Sequence, residues 1–119
     1  REDAMVGENL GWRLETIVYL ELLRRKAGTE NDIYYYQGRS AEADFVVCDG
    51  NKTLAVYQVS YDISNDKTRK REIKGCIAGA KATKCDNLFL ITDHESEIIE
   101  EDGYTIQVIP IWEWLTKKD

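Results

Sequence analysis

The sequence predicts a mixed α/β fold, one β-sheet of parallel and antiparallel strands flanked by helices. Three observations predict it. Two segments place apolar residues at the spacing of a helix, one over Asn9–Lys26 and one from an Asn65-Asp66 cap to about Lys84. Short runs rich in β-branched and aromatic residues, bounded by turn residues, fill the space between and after them. One such run, Asn87–Thr92, follows the second helix as a crossover, which sets it parallel to the strand before that helix.

The elements follow in order. The opening to about Glu8 has no apolar period, so residues 1–10 read as a linker or frayed end and residues 11–119 as a single domain. Leu10, Leu14, Ile17, Val18 and Leu22 form the apolar stripe of the first helix, and Ala27-Gly28 ends it. Ile33–Gln37 is a tyrosine-rich strand, and Gly38-Arg39-Ser40 turns the chain. Glu42–Cys48 is a second strand, Asp49-Gly50 a hairpin signal, and Thr53–Tyr61 a third strand. The second helix, capped at Asn65, turns Ile73, Ile77 and Ala80 inward. Asn87–Thr92 suits a buried strand. Ile98–Glu101 and Tyr104–Ile109 flank a second hairpin signal, Asp102-Gly103. Pro110 stops the ladder, and Trp112–Leu115 closes the chain as a short helical turn.

Composition narrows the class. A chain of 119 residues is the size of one domain, about 100–150 residues. Its 43% hydrophobic and 32% charged residues sustain one core and exclude a disordered chain. The apolar runs are a few residues long, far from the ~20 that cross a bilayer. Cys48, Cys76 and Cys85 are odd in number and widely spaced, which reads as reduced thiols of a cytoplasmic protein. Without a Cys-x-x-Cys or a histidine pair, a zinc site is not expected. A start at Arg1 suggests a piece of a longer chain. The net charge of −6 argues against a general nucleic-acid binder. The charge is uneven, however. Lys67–Lys74 is basic, whereas Asp93–Glu97 and Glu100–Asp102 are acidic, and such runs are ordinarily solvated faces.

Polar residues stand at three places where a core is expected. Glu15 shares a helix face with Gly11, Val18, Tyr19 and Leu22, and Gly11 leaves room for another backbone one turn before it. Strict alternation in the second strand puts Glu42, Asp44, Val46 and Cys48 on one face and Ala41, Ala43, Phe45 and Val47 on the other. Asp44 then lies where the first face changes from acidic to apolar, and mid-strand aspartate is disfavoured. Gln58 and Ser60 share a face of the third strand with Leu54 and Val56, and the hairpin sets Gln58 beside Asp44. Oxygen-bearing side chains from Asp44 and Gln58, with Glu15 reaching in from the helix, suit a hard divalent cation such as Mg²⁺.

Glu15, Asp44 and Gln58-Val59-Ser60, in this order of elements, resemble the restriction-endonuclease-like or PD-(D/E)XK nuclease superfamily. Its core is a helix, a three-strand meander, a helix and a strand, here followed by a C-terminal strand pair. A longer ordered set comprises Gly11–Glu15, Val18–Leu22, Tyr34–Tyr36, Glu42–Val47, Gln58–Tyr61, Thr68–Ile73 and Val108–Trp112. With it the chain resembles a C-terminal domain of uncharacterised function that follows the ATPase module in many bacterial and archaeal AAA-type proteins. The resemblance implies catalytic and metal positions at Glu15, Asp44 and Gln58, with Ser60 in the place of the lysine. Serine supplies no positive charge and Gln58 is a neutral ligand, so Mg²⁺ would be held poorly. A cation from the second helix, Arg69, Arg71 or Lys74, is the candidate replacement. No GxxxxGK[ST] loop occurs, so ATPase activity would belong to an upstream module of the same chain.

The expected function is a degenerate nuclease-like accessory domain that binds nucleic acid or protein without cleavage. The alternatives are an active Mg²⁺-dependent DNA endonuclease and a structural assembly domain, whose interface the aromatic set Tyr34, Tyr35, Tyr36, Trp112 and Trp114 would supply. DNA contact is expected from Lys67, Arg69, Lys70, Arg71 and Lys74. About three of them reach one backbone together, giving a log affinity against log salt slope of about −2.7. Arg69 or Arg71 turned inward against Asp44 or Glu15 would instead neutralise the site.

Overall fold

The computed structural model describes residues 2–39 and 41–117. Its elements are α1 (Glu2–Lys26), β1 (Asn31–Gln37), β2 (Glu42–Asp49), β3 (Lys52–Val59), α2 (Asp66–Thr83), β4 (Leu88–Thr92), β5 (Glu97–Glu101), β6 (Tyr104–Pro110) and α3 (Ile111–Thr116). The strands form one mixed sheet in the order β1-β2-β3-β4-β6-β5. β4 runs parallel to β3 and to β6, and the remaining pairs are antiparallel. The central strands are covered on both faces, which is why β4 reads as the continuous apolar run Leu88-Phe89-Leu90-Ile91.

Two apolar layers hold the sheet. On one face α2 sets Cys76, Ile77 and Ala80 against Val56, Leu90, Ile106 and Val108. On the other, α1 and α3 set Leu14, Val18, Leu22 and Trp114 against Tyr57, Val59, Ile91 and Ile109. Trp114 lies under the Arg25 guanidinium, 4.3 Å from its ring centroid. The caps follow the sequence. Asn65 Oδ1 accepts the Thr68 N–H at 3.1 Å and starts α2. Asp102 and Gly103 both take positive φ, as the two central residues of a tight hairpin require.

Several expectations need correction. The first helix starts at Glu2, before the Asn9 that the apolar spacing marks, so the segment read as a linker or frayed end is part of α1. Its apolar stripe is narrower than the spacing suggests: Leu14, Val18 and Leu22 are buried, but Ile17 is 43% exposed. A Cβ on Gly11 would meet nothing, so no backbone approaches there. In the β2–β3 hairpin Asp49 pairs with Lys52, so the loop is Gly50-Asn51 rather than Asp49-Gly50.

The correction that matters most is in β2. Tyr34 opposes Val46 but Tyr36 opposes Ala43, so Asp44 and Phe45 together face Tyr35. This is a β-bulge, and it resets the alternation. Ala43 therefore packs with Val56 on the α2 side, whereas Phe45 and Val47 pack on the α1 side. A second irregularity leaves Leu54 without a partner in β2, since Val47 opposes Ala55 and Cys48 opposes Thr53.

Candidate functional site

β2 and β3 stop pairing beyond Phe45 and Tyr57, and side chains take over there. The Asp44 N–H donates to Gln58 Oε1 at 3.0 Å. Gln58 Nε2 donates to the Glu42 carbonyl at 3.2 Å. The Val59 N–H donates to Asp44 Oδ2 at 2.8 Å. Each strand thus satisfies the other's backbone with a side chain, which meets the demand that backbone polar groups leaving a ladder find partners. The strands splay, and a cleft of about 460 Å³ opens at this end of the sheet.

The helices close the cleft from both sides. Glu15 lines it from α1, and Arg71, Glu72 and Lys74 line it from α2. Gln58 also donates to Glu72 Oε1 at 2.7 Å, and both residues are buried. Arg71 Nη2 lies 3.2 Å from Glu72 Oε2. α2 comes this close because Gly75 has no side chain, since a Cβ there would stand 2.5 Å from Gln58 Nε2 and closer still to the Glu42 carbonyl.

The electrostatics follow from burial. Asp44 is raised to about 8 from an ordinary 3.8, first because burial penalises its charge. The Val59 N–H opposes this. The Glu15 and Glu72 charges reinforce it, as does Glu15 acting as a hydrogen-bonding neighbour. Burial also raises Glu72, against the pull of Gln58 and Arg71. On β1, the hydrogen bond to Glu42 raises the Tyr35 hydroxyl to about 12.

The structure therefore brings Glu15, Asp44 and Gln58 to one cleft and adds Glu72. Glu72 is hidden in the sequence by the basic run Lys67–Lys74 around it. The available signal was its place one turn before buried Cys76, on the side of α2 that also carries Gly75 and Gly79. Ser60 does not line this cleft but an adjoining one that shares Glu15, Val59, Arg71 and Glu72 with it, and its hydroxyl donates to the Asp62 carbonyl at 3.4 Å.

Of the oxygens that Mg²⁺ would use, Gln58 Oε1 and Asp44 Oδ2 each already accept a backbone N–H. Among the described residues no three His, Cys, Asp or Glu side chains converge to hold a metal ion.

The five cations expected to make one DNA surface are divided. Arg69 makes a two-pronged pair with Glu97, both contacts at 2.7 Å. Lys70 pairs with Asp66 at 3.2 Å. Arg71 turns to Glu72 rather than to Asp44 or Glu15. Lys67 and Lys74 are exposed. The aromatic set is divided too: Tyr34, Tyr35 and Trp112 are exposed, whereas Trp114 is core and Tyr36 packs against the α2 layer.

A family model described as a domain of unknown function, DUF4143, matches residues 10–114. The chain belongs to this family. Among curated proteins, the uncharacterized protein MJ1544 of Methanocaldococcus jannaschii is 33% identical over 114 residues, a match covering 91% of this chain and 25% of that protein. This DUF4143 domain thus spans about a quarter of the length of its archaeal relative. No helix among the described residues is long and apolar enough to cross a membrane.

Proposed function

We propose that this DUF4143 chain is a PD-(D/E)XK nuclease-like accessory domain that has given up cleavage and works by binding another macromolecule. One observation carries the reading. The Gln58 amide, in the place of a metal-binding acid, spends its oxygen and both hydrogens on Asp44, Glu42 and Glu72. It knits two splayed strands and a helix together, which is structural work. The lysine place supports the same reading, since Ser60 brings no positive charge to an attacking water. The three quarters of the archaeal relative outside the match leave room for a further module. We read this family's partner module as an AAA-type ATPase upstream in the same chain, in a cytoplasmic protein.

A second reading, an active Mg²⁺-dependent endonuclease, draws on Glu72. Glu72 lines the same cleft as Glu15 and Asp44, with Arg71 and Lys74, so a metal ion could draw the three carboxylates together there. Incubation with supercoiled plasmid in Mg²⁺, Mn²⁺ or EDTA separates the two. We expect no nicking above the EDTA control. Metal-dependent nicking that Asp44→Asn abolishes would establish the nuclease instead.

A further inference from the structure

We propose that the groove between α2 and the β5–β6 turn docks an acidic segment of a partner protein, anchored by large apolar side chains. This rests on the reading that the domain works by binding, and it names the chemistry of the partner. The groove encloses about 680 Å³, more than the cleft at Asp44. Its floor is Ile73, Ile77 and Ala78, at the edge of the α2 core layer: Ile77 belongs to that layer and Ile73 packs against it. Lys70 and Lys74 stand along the α2 rim, one helical turn apart. Lys67 continues that rim, exposed, one further turn back.

Charge and apolarity together select the occupant. The Lys70 pair with Asp66 is solvent-exposed at both ends, so a partner carboxylate can replace Asp66 at little cost. An apolar floor rewards a leucine or phenylalanine side chain and offers nothing to a phosphodiester. The two arginines that grip phosphate best are turned elsewhere, Arg69 to Glu97 and Arg71 to Glu72. The far wall is acidic at Glu101 and Asp102, with Lys81 tied to Asp102 at 2.7 Å. A duplex backbone laid in the groove would press phosphates against that wall. A peptide can turn its carboxylates to the lysine rim alone and its apolar side chains to the floor.

The test is a titration of the 15N-labelled 119-residue chain with three probes. They are a capped twelve-residue peptide of alternating glutamate and leucine, the same peptide with lysine for glutamate, and a twelve-base-pair duplex. The glutamate peptide should shift the amide signals of Ile73, Ile77 and Ala78 in a saturable way. The lysine peptide and the duplex should bind at least ten-fold more weakly. Joint replacement Lys70→Glu and Lys74→Glu, at exposed positions, should weaken the glutamate peptide at least ten-fold while the remaining spectrum stays folded. Shifts absent at millimolar peptide, shifts centred elsewhere, indifference to the charge reversal, or preference for the duplex would each overturn the proposal. Plasmid nicking by the same preparation would sink the non-cleaving reading and leave the peptide result standing.

Discussion

Asp44 and Gln58 replace hydrogen bonds that a continuous β-ladder would have made, so the chemistry of the cleft and the stability of the fold are one question. The Asp44 carboxyl is raised in the folded chain to about 8, against about 3.8 when unfolded. Between those values the folded state holds a proton that the unfolded state has lost. Stability therefore falls as pH rises from about 4 to about 8. Glu72 shifts in the same direction, whereas Glu21, lowered to about 2 by Arg24 and Arg25, works the other way only in acid. Asp44→Asn keeps an oxygen for the Val59 N–H and removes the charge. We expect the variant to melt higher than the parent at pH 8 and level with it near pH 4, in scans with EDTA present. A parent whose melting temperature rises across that range would contradict the burial argument. Gln58→Glu should have the opposite sign. It turns two donated hydrogen bonds into repulsion against the Glu42 carbonyl and the buried Glu72 carboxylate. Urea denaturation should register a loss of about 3 kcal/mol, the scale of an uncompensated buried charge. Mg²⁺ should restore part of that loss, since the substitution supplies a fourth carboxylate.

At the scale of elements, α2 decides whether the site forms. Gly75→Ala gains about 1 kcal/mol of helix propensity. It also drives a methyl group into the Gln58 amide and the Glu42 carbonyl, and overpacking of this kind costs about 1–3 kcal/mol. We expect net destabilisation in urea, and Gln58 side-chain amide signals displaced in NMR spectra. A more stable Gly75→Ala variant would mean that α2 stands off from β3. The element order, the Asn65 cap, the Asp102-Gly103 turn and the parallel β4 were legible because each depends on local spacing or turn chemistry. The bulge at Asp44-Phe45 was not. Nothing in Glu42–Asp49 announces that Ala43 and Val46 share a face, because the irregularity arises from pairing with β1 and from the splay of β3. Asp44 and Gln58 were still placed together, since parity from Phe45 onward suffices to align them. Glu15 was legible as a carboxylate in an apolar stripe. Glu72 was hidden among cations, and its burial depends on Gly75, a contact between elements far apart in sequence.

At the scale of the molecule, the question is what a chain of net charge −6 can hold. Five cations on α2 invite a nucleic-acid reading, and three of them reaching phosphate would give a salt slope of about −2.7. Ion pairing lowers that expectation. Arg69 is clamped on both oxygens of Glu97, which tethers α2 to β5, and releasing it would expose an unpaired carboxylate to the incoming phosphate. Arg71 is committed to Glu72. Lys67 and Lys74 remain the readiest donors, because the Asp66 carboxylate beside Lys70 would itself repel a phosphate, and two phosphates neutralised give a slope of about −1.8. We expect a short duplex to bind only at low salt with that shallow slope. Arg69→Ala combined with Lys70→Ala should leave it almost unchanged, whereas Lys67→Ala with Lys74→Ala should flatten it. Fluorescence anisotropy at four salt concentrations reads all three. A slope of −2.7 or steeper, lost with Arg69 and Lys70, would show that the Glu97 pair opens for phosphate and that α2 is a nucleic-acid surface after all. The melting temperature of the Arg69 variant then separates tether from ligand contact. Loss of the tie to β5 lowers it with or without DNA, and a phosphate contact changes it only when the duplex is present.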